Sequence, residues 1–346
     1  MRDLFKFLNF SFILAVFMPS IAMAHHGFGL LFDVNDQVRI EGAVTEFKFK
    51  NPHSSIYLDV TNADGVVEQW HCEAQARSVL MRKGVKQSDI KVGDKIVLEG
   101  ARGRKKSNEC EVGTWVLADG STRVMRSKKG RADVAVNTKP APVAPEKQSV
   151  LGRWIRVTFT GMPVAEESFA AITEAGLKSN EGYSGFTDDP TLACRPANPV
   201  RAWSAPGQPT EIRWQDEKIV MQHEFMDYTR TIYMSEEQIP DEIKPDEMGV
   251  SIGKMDGDDL VIETKQFTDG VLLTHIGDSG LTHSSEMILH ERFHVDAESG
   301  VMKYEWKAED PLYYGKPFQG ALELYGTELE IGRFDCVPQV AEVEPH

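Results

Sequence analysis

Alternating apolar and polar positions dominate this chain and predict strands in two groups. In the first group, residues 38–49 alternate up to a break at Asn51-Pro52, and residues 55–60 alternate again. Asn62-Ala63-Asp64-Gly65 reads as a hairpin turn leading into a strand over 66–72. Residues 74–83 change to helical spacing and stop at Gly84; strands are predicted again at 95–99 and near 113–117. The second group is strand after strand, at 211–214, 219–225, 229–234, 251–252, 260–264, 287–295 and 302–307. Turn signals at Asp216-Glu217, Asp256-Gly257-Asp258 and Glu298-Ser299-Gly300 punctuate it.

Two further segments complete the layout. Residues 127–149 hold no large aromatic and carry Pro140, Pro142 and Pro145, the composition of an extended, solvated linker. At the start, Arg2 and Lys6 precede an apolar run from Phe7 to Phe17 and the small-x-small pattern Ala22-Met23-Ala24. That is the pattern of a cleaved export signal, and the run falls short of the ~20 residues that span a bilayer. The expected plan is a signal peptide over 1–24, a domain over 25–126, the linker over 127–149, a domain over 150–338 and a tail over 339–346. The expected class is all-β. Three strands, a helix and two strands is the order of an OB-fold-like barrel. The even up-and-down spacing of the second group predicts a lipocalin-like antiparallel β-barrel whose small interior holds one ligand. Leu151-Gly152-Arg153-Trp154 suits it, Gly-x-Trp being a familiar lipocalin start.

Composition narrows the partners. Hydrophobic residues at 41% of 346 supply real cores, and no later segment reaches membrane length. The formal charge is −15, from 38 basic and 53 acidic residues; without Arg2, Lys6 and Asp3 it is 36 against 52, or −16. Such an acidic surface argues against nucleic acid and anionic membranes, and the short basic run 102–106 reads as a solvated loop. Four cysteines without a CxxC favour two disulfides in an exported chain, with three pairings open. Domain logic selects Cys72–Cys110 and Cys194–Cys336.

Candidate chemistry falls into three constellations. Cleavage after Ala24 leaves His25 at the terminus, offering its amine and imidazole to a borderline-to-soft ion such as copper. With His26 assisting and remote His53 as partner, this forms a T-shaped copper site; His71, between Trp70 and Cys72, is the other available partner. His290-Glu291-Arg292-Phe293-His294 has the letters of a zincin motif. Its neighbours are strand formers, and on a strand the two histidines lie ~13 Å apart with Glu291 on the opposite side. A zinc protease is therefore the lesser reading of these letters.

The third constellation is the polar set on barrel strands: His223, Glu224, Arg230, Glu263, His283, Glu291 and Arg292. Its functional reading is an Arg–Glu pair orienting a polar ligand with His283 as general acid or base. Its structural reading is an ion-pair network that closes the barrel, or residues facing solvent. The sequence favours the structural reading without saying which face is inside. Asp188-Asp189-Pro190 and Glu309-Asp310-Pro311 read as turn entries. Gly249-Val250-Ser251-Ile252-Gly253 has the letters of GxSxG but lies in a β-meander, so it is no nucleophile elbow.

Two blocks, "AHHGFGLLFD…NPHSSIYLDV" and "GVSIGKMDGDDLVIETKQF…THSSEMILHERF…EDP", resemble a family of exported bacterial two-domain proteins of unknown function. Met255 and Ser285 depart from its pattern, which has tryptophan and an acidic residue there. The resemblance implies the same architecture and export, and Glu224, Arg230, His283, Glu291 and Arg292 match its pattern. The leading expectation is a periplasmic binding protein that holds copper at His25 and a small apolar or aromatic molecule in the second barrel. The rival is an enzyme acting on a small molecule through His283, Glu291 and Arg292, with Glu224 and Arg230 at the ligand.

Overall fold

A computed structural model describes residues 31–124, 149–157, 169, 171–185, 187–276 and 279–338. The expected signal peptide, His25 and His26, nearly all of the linker and the 339–346 tail lie outside the described residues. The class is all-β, with 48% strand.

The first unit is built from β1 (Phe32–Lys48), β2 (Ser54–Thr61), β3 (Val67–Ala74), α1 (Arg77–Arg82), β4 (Lys95–Gly103), β5 (Glu109–Val116) and β6 (Thr122–Val124). Strands pair in the order β3-β2-β1-β4-β5-β6, and a further parallel pairing of β3 with β5 closes the first five. That closure, with α1 between β3 and β4, is the OB-fold arrangement expected from the order of elements. One strand serves both halves because β1 is 17 residues long and shifts register twice, between Asp33 and Gln37 and between Val44 and Glu46. Such irregularities bend a strand and raise its twist. Alternation puts Val38, Ile40, Val44, Ile56, Leu58, Trp70, Cys72, Leu98, Cys110, Val112 and Trp115 into one buried cluster. The helix is shorter than the predicted 74–83, because Ala74 pairs with Ser54 and continues β3.

A third irregularity lies between Glu99 and Gly100. A Cβ at Gly100 would stand 1.8 Å from the Glu111 carbonyl oxygen, so only glycine lets β4 and β5 approach there. Gly100→Ala is expected to cost about 1–3 kcal/mol by forcing the two backbones apart. Urea denaturation measures it, and an unchanged midpoint would show the close approach to be dispensable.

The second unit runs β7 (Gly152–Ile155), α2 (Glu174–Asn180), α3 (Pro199–Ala202), β8 (Pro209–Gln215), β9 (Lys218–His223), β10 (Thr229–Tyr233), β11 (Val250–Asp256) and β12 (Asp259–Lys265). It continues with β13 (Gly270–Ile276), β14 (Ser279–His283), β15 (Ile288–Val295), β16 (Met302–Glu309) and β17 (Phe318–Gly326). Nine strands close a barrel in the order β10-β11-β12-β15-β16-β17-β7-β8-β9.

Three features correct the simple up-and-down expectation. First, β10 and β11 are parallel, Ile232 opposite Ser251, because the 234–249 connection carries the chain back to the end of the barrel where β10 begins. Second, β13 and β14 form a separate hairpin outside the barrel ladder. Third, β17 completes the closure by pairing with both β16 and β7. The interior is packed with side chains. Trp203, just beyond α3, lies 4.9 Å from the His223 ring, 5.4 Å from Phe293 and 5.9 Å from Tyr304, measured between ring centroids.

Both expected disulfides are present, Cys72–Cys110 across the β3–β5 closure and Cys194–Cys336 in the second unit. Disulfides of this kind are compatible with an extracellular location. Among the described residues no helix is long and apolar enough to cross a membrane.

Candidate functional site

Alternation along β10, β11, β12, β15 and β16 sends five polar side chains into the second barrel. Arg230 Nη1 donates to Glu291 Oε1 at 3.0 Å, and its Nη2 pairs with Glu291 Oε2. Arg230 also donates from Nε to Ser251 Oγ at 3.0 Å and from Nη2 to Thr264 Oγ1 at 2.8 Å. Tyr304 donates its hydroxyl to Glu291 Oε1 at 2.9 Å. All five are buried. Burial by itself would lower the Arg230 pKa, but the Glu291 charge and hydrogen bonds outweigh it and hold the guanidinium above its ordinary value. Burial, with Glu291 beside it, pushes the Tyr304 phenol well above its usual range. The cluster is an internally satisfied, charge-balanced strut across five strands, and the bidentate pair uses the oxygens a ligand cation would need.

Arg292 does not join Glu291. Successive strand residues point to opposite faces, so Arg292 lies outside, donating to Asp259 Oδ2 at 2.7 Å and Asp256 Oδ2 at 3.0 Å. The anchoring role expected for it inside the barrel is thus excluded by the direction of its side chain. His290 and His294 share that outer face, His290 3.7 Å from Glu263 and His294 2.6 Å from Asp259. The HExxH letters therefore lie on a strand, as expected.

Glu224 also leaves the barrel. Its Oε2 pairs with Arg82 of α1 and accepts from Gly332 N at 2.9 Å, making it a link between the two units rather than a ligand contact. His223, at the end of β9, is fully buried with Nδ1 2.8 Å from Thr210 Oγ1. Its Nε2 has no hydrogen-bond partner among the described residues. Burial, helped by the Arg230 charge, lowers its pKa to about 3, so the ring is neutral at physiological pH.

His283 belongs to the β13–β14 hairpin and not to the barrel. Its Nδ1 is 3.1 Å from the Ser284 carbonyl, and its Nε2 is buried without a partner among the described residues. Burial lowers its pKa below the ordinary histidine value. Gly270 packs against the ring, where a Cβ would stand 2.8 Å from Nε2. His283, Glu291 and Arg292 thus occupy three surroundings: a hairpin core, the barrel interior and the barrel exterior.

In the first unit, His53 is half-exposed with Nδ1 3.1 Å from Glu73 Oε1. His71 faces outward from β3, stacked on Tyr57 with ring centroids 4.8 Å apart. Its Nδ1 stands 3.9 Å from Glu109 Oε1, and its Nε2 is buried without a hydrogen-bond partner among the described residues. His71, with Lys106 adding to it, holds the Glu109 carboxyl below its usual range.

One row links this histidine to the chain's entry into the barrel. Glu109 lies opposite His71, Gly103 packs against Glu109, and Phe32 lies opposite Gly103. Among the described residues no group of three or more metal-ligating side chains could hold an ion. A metal site built on His53 or His71 needs donors from beyond them. Neither carboxylate is marked by a local pattern: β2–β3 pairing brings Glu73 to His53, and β3–β5 pairing across 38 residues brings Glu109 to His71.

Fold and site together define a two-unit all-β protein, a small OB-type barrel joined to a larger closed barrel with a saturated polar core. Residues 14–134 match the model of DUF6152, a family of unknown function; the match covers the first barrel and ends before the second. No curated protein matches the chain.

Proposed function

We propose that the protein is exported to the periplasm, loses its signal after Ala24, and binds copper through His25 and His71 on the first barrel. The observation that carries this reading is the row from Phe32 to His71. Three ladder spacings of ~4.8 Å separate them, about 14 Å. The seven residues 25–31 extend to at most about 25 Å, which brings the terminal amine and imidazole within reach of His71. The chain enters the row beside Arg104, whose N–H donates to the Leu31 carbonyl at 2.7 Å. His53 is the poorer partner. It adjoins Ser54, which pairs with Ala74, three residues further along β3 and away from the end where the chain enters.

Both histidines have a carboxylate on the Nδ1 side, Glu73 at 3.1 Å from His53 and Glu109 at 3.9 Å from His71, so the donor chemistry suits either and reach from the chain's entry selects His71. A carboxylate at one imidazole nitrogen favours the proton there and leaves the other nitrogen as a lone-pair donor, the usual support of a metal-bound histidine. Glu109 stands on that side of His71, and the buried Nε2 has no hydrogen-bond partner among the described residues. An amine and two imidazoles form a donor set suited to copper. The second barrel, filled by Trp203 and its internal ion pair, serves as a rigid body rather than a container for an apolar ligand.

The test is periplasmic expression with intact mass and metal analysis. A mass beginning at His25 with near-stoichiometric copper is expected. His25→Ala and His71→Ala should each weaken copper binding by ~100-fold or more, Glu109→Gln by ~10-fold, and His53→Ala little. Affinity unchanged in His71→Ala would sink the reading, and loss in His53→Ala alone would return the site to the other end of β3.

A further inference from the structure

Between Gly326, where β17 ends, and Cys336 the chain forms no helix or strand, yet it is the layer through which the two barrels meet. On the barrel side, Gly332 N donates to Glu224 Oε2 at 2.9 Å, and Phe334 N and Asp335 N donate to the Asp227 carboxylate at 2.7 and 3.0 Å. The Phe334 ring packs edge-on against Phe225 at 5.5 Å. On the OB side, the buried Asn51 amide donates to the Phe334 carbonyl, and Arg77 Nη2 donates to Asp335 Oδ2 at 3.0 Å. Val337 N donates to the Asn51 carbonyl at 2.9 Å, and Cys336 bridges to Asn51. Direct contact between the units adds Arg82, which binds Glu224 and the Gly207 carbonyl. This strap is tied at both ends, by β17 and by the Cys194–Cys336 disulfide.

The two disulfides differ in access. Cys72 and Cys110 are fully buried in the OB core, whereas Cys194 and Cys336 are both partly exposed. A thiolate has to reach a sulfur to open a disulfide, so access selects the second bond. We infer that Cys194–Cys336 is a reducible clasp: a dithiol reductant opens it selectively, and opening frees the strap and uncouples the two barrels. One thiolate of the dithiol attacks a clasp sulfur to give a mixed disulfide. Its second thiolate then displaces the protein sulfur, leaving Cys194 and Cys336 as thiols and the dithiol as a disulfide. The strap then keeps its β17 end and its hydrogen bonds to Glu224, Asp227, Asn51 and Arg77 but loses its covalent anchor, and a segment without regular structure frays once an end is free. The inference is independent of the copper reading.

The experiment treats the whole native protein with dithiothreitol, alkylates with iodoacetamide and reads the labelled cysteines by peptide mass, alongside trypsin cleavage after the exposed Arg333. Label on Cys194 and Cys336 with none on Cys72 and Cys110, and cleavage at Arg333 faster by about tenfold or more, are expected. The Cys194→Ser/Cys336→Ser variant should show the same cleavage rate without reductant. Labelling of all four cysteines together, or a reduced clasp with unchanged cleavage at Arg333, would overturn the inference. The wild-type arm decides even if the double variant does not fold.

Discussion

Glu291→Ala is expected to destabilise the protein by about 3–5 kcal/mol, the cost of leaving a buried guanidinium without its counter-charge. Arg230 is 2% exposed, too deep for water to replace the lost carboxylate. Two more groups lose with it: the Tyr304 hydroxyl gives up its acceptor, and both Nη hydrogen bonds to Glu291 disappear. Replacing both members by apolar residues of similar volume, Arg230→Met with Glu291→Leu, should cost far less than the single change, because no charge is then left stranded. Denaturant unfolding of the two variants separates a strut from a ligand site. A loss below about 1 kcal/mol in Glu291→Ala would mean the pair carries no structural load, and the barrel interior would need another explanation.

The second large effect is acid sensitivity through His223. With a folded pKa of about 3 and an unfolded value near 6.5, only the unfolded chain takes up this proton as pH falls between those values. A depressed histidine pKa therefore gives stability that is fully present above pH ~6.5 and is lost as pH drops toward the folded value. At about 1.4 kcal/mol per pH unit, the loss by pH 4 is about 3 kcal/mol from this residue alone. His283, also lowered by burial, adds in the same direction. Thermal melts of the wild type and His223→Gln at pH 7, 6, 5 and 4 test it. The variant starts lower, since Gln has to fit against Trp203 and Thr210, but its stability should fall less steeply. Parallel curves for the two proteins would reject the assignment.

Much of the fold was legible because hydrophobic alternation reports a strand wherever one face is buried. The first barrel was read from its element order, and its closing disulfide from the position of Cys72 and Cys110 in one domain. The turn character of Asp189 and Asp310 also stands: Asp189 Oδ1 accepts from Thr191 N at 2.9 Å, and the Asp310 carbonyl accepts from Tyr313 N at 3.1 Å. The candidate site was less legible. Arg230 and Glu291 were named, but Tyr304, Ser251 and Thr264, which complete their network, read as ordinary strand residues.

What the sequence determined by itself is local or additive: two groups of strands, the division between them, the acidic surface, and the opposite facing of Glu291 and Arg292. Only the tertiary structure decided which of those two faces is inside. It also moved His283 into a hairpin, turned Glu224 toward Arg82, brought Asn51 against the strap and set His71 in a row with Phe32. The reason is physical. Side-chain direction within a strand follows from a two-residue period, but partners across strands follow from register between segments far apart in sequence. Arg230 and Glu291 are 61 residues apart, and Arg82 and Glu224 are 142 apart. No local pattern encodes such pairs; barrel closure and the docking of the two units create them.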